Sequence, residues 1–131
     1  MKKVLFIEDE EMLQKTLGDV LSKEGYKVIS ALTGDQGLRL AKKEKPDLIL
    51  LDLILPKLSG LEVLAELKKK PETKKIPVIV LTQIDNPFEI GKALELGANA
   101  YLVKVSYDFK EIIEKIKKIL GGDESLPASK K

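Results

Sequence analysis

Apolar and polar positions alternate along the chain in blocks that predict five short strands, each followed by a helix. Continuous apolar runs bounded by turn residues are typical of strands buried on both faces, as in parallel sheets. Such runs predict strands at 4–7, 26–31, 48–51, 76–81 and 100–103. Apolar residues spaced three or four apart predict the helices. The first helix ends at Gly25, the second starts from an N-cap at Thr33, and the others cover 60–69, 87–97 and 108–120.

This strict alternation predicts an α/β fold, with a five-stranded parallel sheet and helices on both faces. One domain is expected to cover residues 1–120. The polar segment 121–131, which contains a proline, is predicted to be a flexible tail.

Composition narrows the possible functions. The 131 residues are 44% hydrophobic and 34% charged, as in a soluble globular domain, and the net charge is only +2. The basic residues are lysines apart from Arg39, without the arginine-rich stripe of nucleic-acid readers, so we expect no direct nucleic-acid contact. No apolar segment is long enough for a membrane span or a signal peptide, which predicts a cytoplasmic protein that does not contact the membrane.

The chain contains no cysteine and no histidine. This excludes disulfides, thiol chemistry, histidine acid–base catalysis and the usual zinc sites. Any bound metal is therefore expected to be a hard cation held by oxygen ligands.

Polar residues follow four of the five predicted strands. In chain order they are Glu8, Asp9, Asp52, Thr82 and Lys104. Each alone has a simpler interpretation, as an acid at a helix N-terminus, a turn former, a cap or a surface lysine. The carboxyl ends of parallel strands meet at one edge, where open α/β sheets bind ligands. Because all five polar residues are expected at that edge, the pattern favours one shared site over five separate explanations.

The chemistry of such a cluster is specific. Carboxylates about 4–6 Å apart repel unless a cation neutralises them, and Mg²⁺ is the natural choice here. A carboxylate beside Mg²⁺ can attack a phosphoryl group, and Asp52 would then form an aspartyl phosphate. The Lys104 ammonium and the Thr82 hydroxyl would each bind one phosphoryl oxygen.

These residues give the chain a clear resemblance over roughly residues 3–120. The matching positions are the pair Glu8-Asp9, the run from Asp52 through Pro56 to Gly60, and Thr82, Tyr101 and Lys104. The pattern resembles the receiver domain of response regulators, with single-domain chemotaxis regulators as the nearest familiar architecture. The resemblance implies a flavodoxin-like (βα)₅ fold with strand order 2-1-3-4-5.

The resemblance also implies roles for individual residues at the metal and phosphoryl sites. Asp52 is the expected phospho-accepting aspartate. Asp9 is the expected direct Mg²⁺ ligand, with Glu8 acting through water and the backbone carbonyl of Ile54 as a further ligand. Lys104 is expected to bind the phosphoryl group.

The resemblance further implies a conformational switch. Thr82 moves toward the phosphoryl group, the Tyr101 ring turns inward, and the surface between Ile84 and Lys104 changes. The phosphoryl donor would be a sensor histidine kinase or a phosphotransfer protein. The output would be a downstream target protein or a homodimer that uses the Ile84–Lys104 region. Such a protein catalyses only its own phosphorylation and dephosphorylation, and is not a metabolic enzyme.

Three features depart from the family pattern, one of them a pair of residues. Val105 stands where the family usually has proline, and a non-proline cis bond costs about 3 kcal/mol, so we expect a trans bond and a shifted loop. Gln83 is larger than the residues usual there and is expected to crowd the phosphoryl group. Ile54 and Ile84 are both apolar, so neither positions an attacking water, and we predict slow self-dephosphorylation.

Other interpretations remain open. A haloacid-dehalogenase-type phosphatase also uses an aspartate and Mg²⁺, but it expects a second aspartate where Ile54 stands. A flavodoxin-like FMN carrier needs a phosphate loop, which the acids at 8–11 would repel. A receiver-like module that is never phosphorylated is disfavoured because the whole set of site residues is present.

Overall fold

The computed structural model describes residues 1–121 and has the predicted alternation of strands and helices in that range. The strands are β1 (Lys3–Ile7), β2 (Lys27–Ala31), β3 (Leu48–Leu51), β4 (Val78–Thr82) and β5 (Ala100–Val103). The helices are α1 (Glu11–Lys23), α2 (Gly34–Glu44), α3 (Gly60–Lys69), α4 (Pro87–Glu95) and α5 (Phe109–Leu120), and a 3₁₀ turn at Lys104–Ser106 precedes α5. The tail predicted over 121–131 lies outside the described residues except for Gly121, which caps α5.

All five strands are parallel and lie in the order β2-β1-β3-β4-β5. This confirms the predicted fold class and the strand order that the resemblance implied. The last residues of β1, β2 and β3 are in register, with Ile7 beside both Ala31 and Leu51. Thr82 is likewise beside Val103. Leu51 is beside Val80, so β4 extends two residues further than β3 toward the carboxyl edge of the sheet. Glu8, Asp52 and Lys104 directly follow their strands at this edge of the sheet, and Thr82 is the last residue of β4.

Alternate strand residues point to opposite faces and form two cores. On one face, Phe6 and Leu50 pack with α1 and α5 through residues such as Leu17 and Ile116. On the other, the next strand residues pack with α2, α3 and α4, in a cluster that includes Ile7, Leu51, Ala41, Leu64 and Ala93. No helix within residues 1–121 combines the length and apolar character needed to cross a bilayer.

Side-chain caps set the helix starts. Thr33 accepts a hydrogen bond from the Gln36 N–H at the start of α2, as predicted. Asp108 and Glu111 form a reciprocal capping box at the start of α5. β4 begins at Val78, two residues later than predicted, since Pro77 has no N–H to donate to a neighbouring strand.

Candidate functional site

Three acids converge at the carboxyl edge of the sheet. Glu8 and Asp9 directly follow β1, and Asp52 directly follows the neighbouring β3. Each offers one carboxylate oxygen, and these oxygens lie within 4.8 Å of one another. Glu8 and Asp52 are buried, at 1% and 4% exposure, whereas Asp9 is exposed. The acids that are distant in the sequence thus lie close together in the structure, as predicted.

Lys104 reaches the same cluster from the end of β5. Its ammonium lies 2.9 Å from Glu8 Oε1 and donates a hydrogen bond of 3.2 Å to Asp52 Oδ2. The contact with Glu8 is a close ion pair to a carboxylate oxygen that is buried. Only 15% of the Lys104 side chain is exposed, so one cation compensates two largely buried acids.

Burial and neighbouring charges shift the pKa values of this pair. Burial raises the pKa of Glu8 above its usual 4.5, and the Asp52 charge adds to the rise, while Lys104 opposes it. For Lys104, burial alone would lower the pKa, but the two acids together raise it above 10.5. Lys104 therefore stays protonated throughout the neutral range, and Glu8 is the acid that takes up a proton more readily than a free glutamate.

The donor set fits a hard divalent cation. Octahedral Mg²⁺ with ligands at about 2.0–2.1 Å places neighbouring ligand oxygens about 3 Å apart and opposite ones about 4 Å apart. The 4.8 Å spread of the acid oxygens is slightly wider, which suits two direct carboxylates with a third acting through water. Glu8 Oε2 accepts a hydrogen bond of 3.1 Å from the Glu10 N–H, so its carboxylate already has a fixed orientation.

The loop after β3 shapes the Asp52 side of the site. The Ile54 N–H donates to Asp52 Oδ1 at 3.2 Å and orients this carboxylate. Gly60 lies against the loop, where an added Cβ would come 2.3 Å from the Asp52 carbonyl oxygen. Lys57 has a φ of 71°, and the Leu58 N–H donates to the Pro56 carbonyl across it at 2.8 Å, forming a tight three-residue turn. The run from Asp52 to Gly60 is thus a single compact unit.

Thr82 and Tyr101 meet at the backbone of Ile84. Thr82 is fully buried, and its hydroxyl oxygen accepts a long hydrogen bond of 3.5 Å from the Ile84 N–H. The Tyr101 hydroxyl donates to the Ile84 carbonyl at 2.9 Å. The ring is half-buried against the α2–α4 side of the core. Burial, together with the nearby charges of Glu89 and Asp85, raises the pKa of this hydroxyl.

Two departures from the family pattern have structural outcomes. No cis peptide bond occurs within residues 1–121, so the Lys104–Val105 bond is trans, as expected for a residue other than proline. Gln83 borders the acid pocket, which measures about 120 Å³. The pocket is lined by Glu8, Asp9, Glu10, Asp52, Ile54, Gln83 and Lys104. Gln83 therefore lies where a group approaching Asp52 would meet it.

Gln14 is a buried polar residue beside the site that was not among the predicted site residues. Its side-chain amide donates to the carbonyl oxygens of Phe6, Glu8 and Ala31 at 2.8, 3.1 and 3.0 Å. A sequence signal for it exists. Gln14 lies three and seven residues before Leu17 and Leu21, on the buried stripe of α1, where a polar side chain needs a partner.

A parallel five-stranded sheet with an acid cluster and a lysine at its carboxyl edge defines a class of phosphoryl- and metal-binding α/β domains. Comparison with known proteins makes the assignment specific. The model of the response regulator receiver domain matches residues 4–117. The chain belongs to the response regulator receiver family.

Relatives agree with this assignment. The alkaline phosphatase synthesis transcriptional regulatory protein PhoP of Bacillus subtilis (strain 168) is 40% identical over 123 residues, which is 94% of this chain and 50% of that protein. The probable transcriptional regulator ycf27 of Porphyridium aerugineum is also 40% identical, over 91% of this chain and 48% of its own length. The chain therefore spans about half the length of the curated relatives it matches.

Solved structures are similar over nearly the whole chain. A CheY-like receiver domain protein from Methanospirillum hungatei JF-1 has a TM-score of 0.87 and 29% identity, covering 95% of this chain and 97% of its own. The receiver domain of the sensor histidine kinase PA1611 from Pseudomonas aeruginosa PAO1 has a TM-score of 0.83 and 28% identity, covering 92% and 98%. That structure has a magnesium ion coordinated in its active-site cleft.

Proposed function

We propose that this chain is a phospho-accepting signalling switch that receives a phosphoryl group on Asp52. The donor is the phosphohistidine of a sensor histidine kinase or a phosphotransfer protein, and the reaction depends on Mg²⁺. The observation that carries the proposal is the convergence of Glu8, Asp9 and Asp52, with the Lys104 ammonium 2.9 Å from one acid and 3.2 Å from another. Membership of the receiver family supports the same function.

Asp52, Ile54 and Lys104 have different roles in the phosphoryl transfer. A carboxylate oxygen of Asp52 forms the new bond to phosphorus while the bond from phosphorus to the donor's imidazole nitrogen breaks, and its electron pair returns to that nitrogen. The Ile54 N–H holds the Asp52 carboxylate in orientation during this step. Lys104, which stays protonated, is close enough to Asp52 to bind an oxygen of the incoming group.

Asp9 and Asp52 are the proposed direct ligands of Mg²⁺, with Glu8 as the water-mediated partner and the Ile54 carbonyl as a further ligand. When bound, the ion neutralises negative charge on the transferring phosphoryl group. Burial and the Asp52 charge raise the pKa of Glu8 and so disfavour its charged form. A Mg²⁺ ion, as a second cation beside Lys104, would stabilise that charged form, so the raised pKa fits this arrangement.

The switch is proposed to run through Ile84. Thr82 and Tyr101 both hydrogen bond to its backbone, one at the N–H and the other at the carbonyl. A Thr82 hydroxyl drawn toward a phosphoryl oxygen gives up the Ile84 N–H, which shifts the residue that anchors the Tyr101 ring. The Ile84–Lys104 region includes exposed apolar side chains on α4, with Phe88 at 76% and Leu94 at 48% exposure. We assign this region as the surface for a target protein or a second copy.

The donor is proposed to dock over the acid pocket. Ile54 lines this pocket, Val105 directly follows the pocket residue Lys104, and Met12 lies two residues after the pocket residue Glu10. All three apolar side chains are exposed. A phosphohistidine on a helix surface could bury these side chains while its phosphoryl group reaches Asp52.

The expectations of a cytoplasmic location and of no metabolic catalysis remain predictions from the sequence.

Incubation with acetyl phosphate tests the function without knowledge of the kinase. With Mg²⁺ present, intact mass spectrometry should detect the gain of one phosphoryl group, and chelation of Mg²⁺ should prevent it. Asp52→Ala should remain unmodified, whereas Asp19→Ala, which removes an exposed acid on α1, should be modified like the wild type. A phosphoryl gain that persists in Asp52→Ala would reject the assignment.

A further inference from the structure

Gln14 forms an unusual set of contacts at the start of α1. It is 9% exposed, and its Nε2 atom donates to the carbonyl oxygens of Phe6, Glu8 and Ala31 at 2.8, 3.1 and 3.0 Å. The amide orientation is unambiguous, because the reverse orientation would place its oxygen against three carbonyl oxygens. Within residues 1–121, no donor pairs with its buried Oε1 atom. The two N–H groups of the side chain are thus shared among three backbone acceptors, and its own acceptor has no donor within this range.

The three carbonyls lie where the β1–β2 ladder ends. The last paired residues are Ile7 and Ala31, and the Glu8 N–H donates to the Ala31 carbonyl at 2.9 Å. The Gln14 amide binds this same Ala31 oxygen as well as the Glu8 oxygen. Glu8 is therefore held at both its backbone N–H and its backbone carbonyl, immediately before Asp9.

This restraint acts against electrostatic repulsion. Glu8 and Asp9 must approach Asp52 to within 4.8 Å, and like charges at this distance repel. The Lys104 ammonium, 2.9 Å from Glu8 Oε1, offsets part of this repulsion. A fixed anchor on the Glu8 carbonyl limits outward movement of the segment between β1 and α1 on the side opposite to Asp52.

We propose that Gln14 is a positioning residue for the metal site, acting through the backbone of Glu8 to set the affinity for Mg²⁺. The inference rests on the proposed function, since it concerns the same acid cluster. Gln14 touches neither the ion nor the phosphoryl group. It fixes the backbone from which the two acids project.

The test compares two substitutions in α1. Gln14→Met keeps the length of the side chain and removes the donors, and Leu21→Val removes one methylene from the same buried stripe far from the acids. Isothermal titration with Mg²⁺ should show an affinity about tenfold weaker for Gln14→Met, the scale typical of partners that orient metal ligands. Leu21→Val should bind like the wild type at matched folded fraction. Equal affinities for Gln14→Met and the wild type would overturn the proposal, as would an equal loss in Leu21→Val.

A measurement on the wild type keeps the proposal testable if Gln14→Met does not fold. In ¹⁵N-resolved spectra the side-chain amide protons of Gln14 should exchange with water far more slowly than those of exposed Gln83. They should also shift during a Mg²⁺ titration with the same midpoint as the Glu8 and Asp9 backbone amides. Exchange as fast as that of Gln83, or no response to Mg²⁺, would contradict the inference.

The failure of this inference can be distinguished from failure of the proposed function. A wild-type protein that binds no Mg²⁺ overturns both. A wild-type protein that binds Mg²⁺ and gains a phosphoryl group, with unchanged affinity in Gln14→Met, overturns only the role of Gln14.

Discussion

The Lys104 ammonium lies 2.9 Å from Glu8 Oε1, joining the end of β5 to the end of β1 across two intervening strands. The same ammonium donates to Asp52, which follows β3, one of these two intervening strands. A single cation therefore holds together acids that would otherwise repel, at the point where a divalent ion and a phosphoryl group are expected. The competition between Lys104 and the ion for the carboxylates gives the first prediction.

Replacing Lys104 should make the protein less stable and should increase the stabilisation that Mg²⁺ provides. Lys104→Met leaves two largely buried acids without their cation, which should lower the free energy of unfolding by about 3–5 kcal/mol. Mg²⁺ should then raise the melting temperature more than it does in the wild type, because the ion replaces the lost charge. Lys110→Met, at an exposed position on α5, is the control and should change neither quantity. An equal Mg²⁺-dependent shift in Lys104→Met and the wild type would contradict this account.

As the pH is lowered, the affinity for Mg²⁺ should begin to fall at a higher pH than it would for carboxylates with ordinary pKa values. Burial raises the pKa of Glu8, so protons compete with the ion for this acid at pH values above 4.5. In the metal-free protein, the contribution of Glu8 to folding stability changes with pH in the opposite direction. A raised carboxyl pKa contributes stability that is present below pH 4.5 and lost as the pH rises through the folded-state value. Titration calorimetry over the acidic range checks this.

Glu8→Gln provides the control for the pH series. It should bind Mg²⁺ more weakly at neutral pH but show a flatter decline of affinity just above pH 4.5, because the group that titrates there has been removed. Identical pH profiles for Glu8→Gln and the wild type would show that Glu8 is not the group whose titration lowers the affinity.

Phosphorylated protein should lose its phosphoryl group slowly. Ile54 is 54% exposed at the pocket and Ile84 is half-buried nearby, and neither can orient an attacking water. Ile84→Glu introduces a polar group beside the site and should accelerate loss of the phosphoryl group by about tenfold or more, a modest effect for a positioned base. Leu94→Glu, on α4 away from the pocket, should not. Decay followed by intact mass measures both, and a wild-type half-life of only seconds with Mg²⁺ would contradict the prediction.

Gly60 and Gly91 should respond oppositely to alanine. A Cβ at Gly60 would lie 2.3 Å from the Asp52 carbonyl oxygen, so Gly60→Ala should destabilise the protein by about 3 kcal/mol and displace Asp52. Nothing lies within 4 Å of a Cβ at Gly91 in α4, and there alanine should stabilise by about 0.5–1 kcal/mol. Chemical denaturation followed by circular dichroism measures both values. Equal effects would show that the contact with Asp52 does not constrain the loop.

The strands and helix ends could be predicted because their signals are local. The capping box of Asp108 and Glu111 needs only two side chains three residues apart, and the same spacing joins Ser59 to Glu62 at the start of α3. The meeting of the acids followed from the parallel topology alone, since it requires only that the carboxyl ends of the strands share an edge.

The side-chain contacts within the site were beyond such reasoning. The sequence does not show that Lys104 binds Glu8 as well as Asp52, since this depends on rotamers and on the distance across the sheet. The shared use of the Ile84 backbone by Thr82 and Tyr101 is likewise a matter of loop geometry.

The most direct test is to locate the phosphoryl group. Wild-type protein phosphorylated with acetyl phosphate and Mg²⁺ should be reduced with borohydride, which converts an aspartyl phosphate to homoserine, and then digested and sequenced by mass spectrometry. The account predicts homoserine at position 52 and at no other aspartate. Modification at Asp9, or none at position 52 in protein that has gained a phosphoryl group, would contradict it.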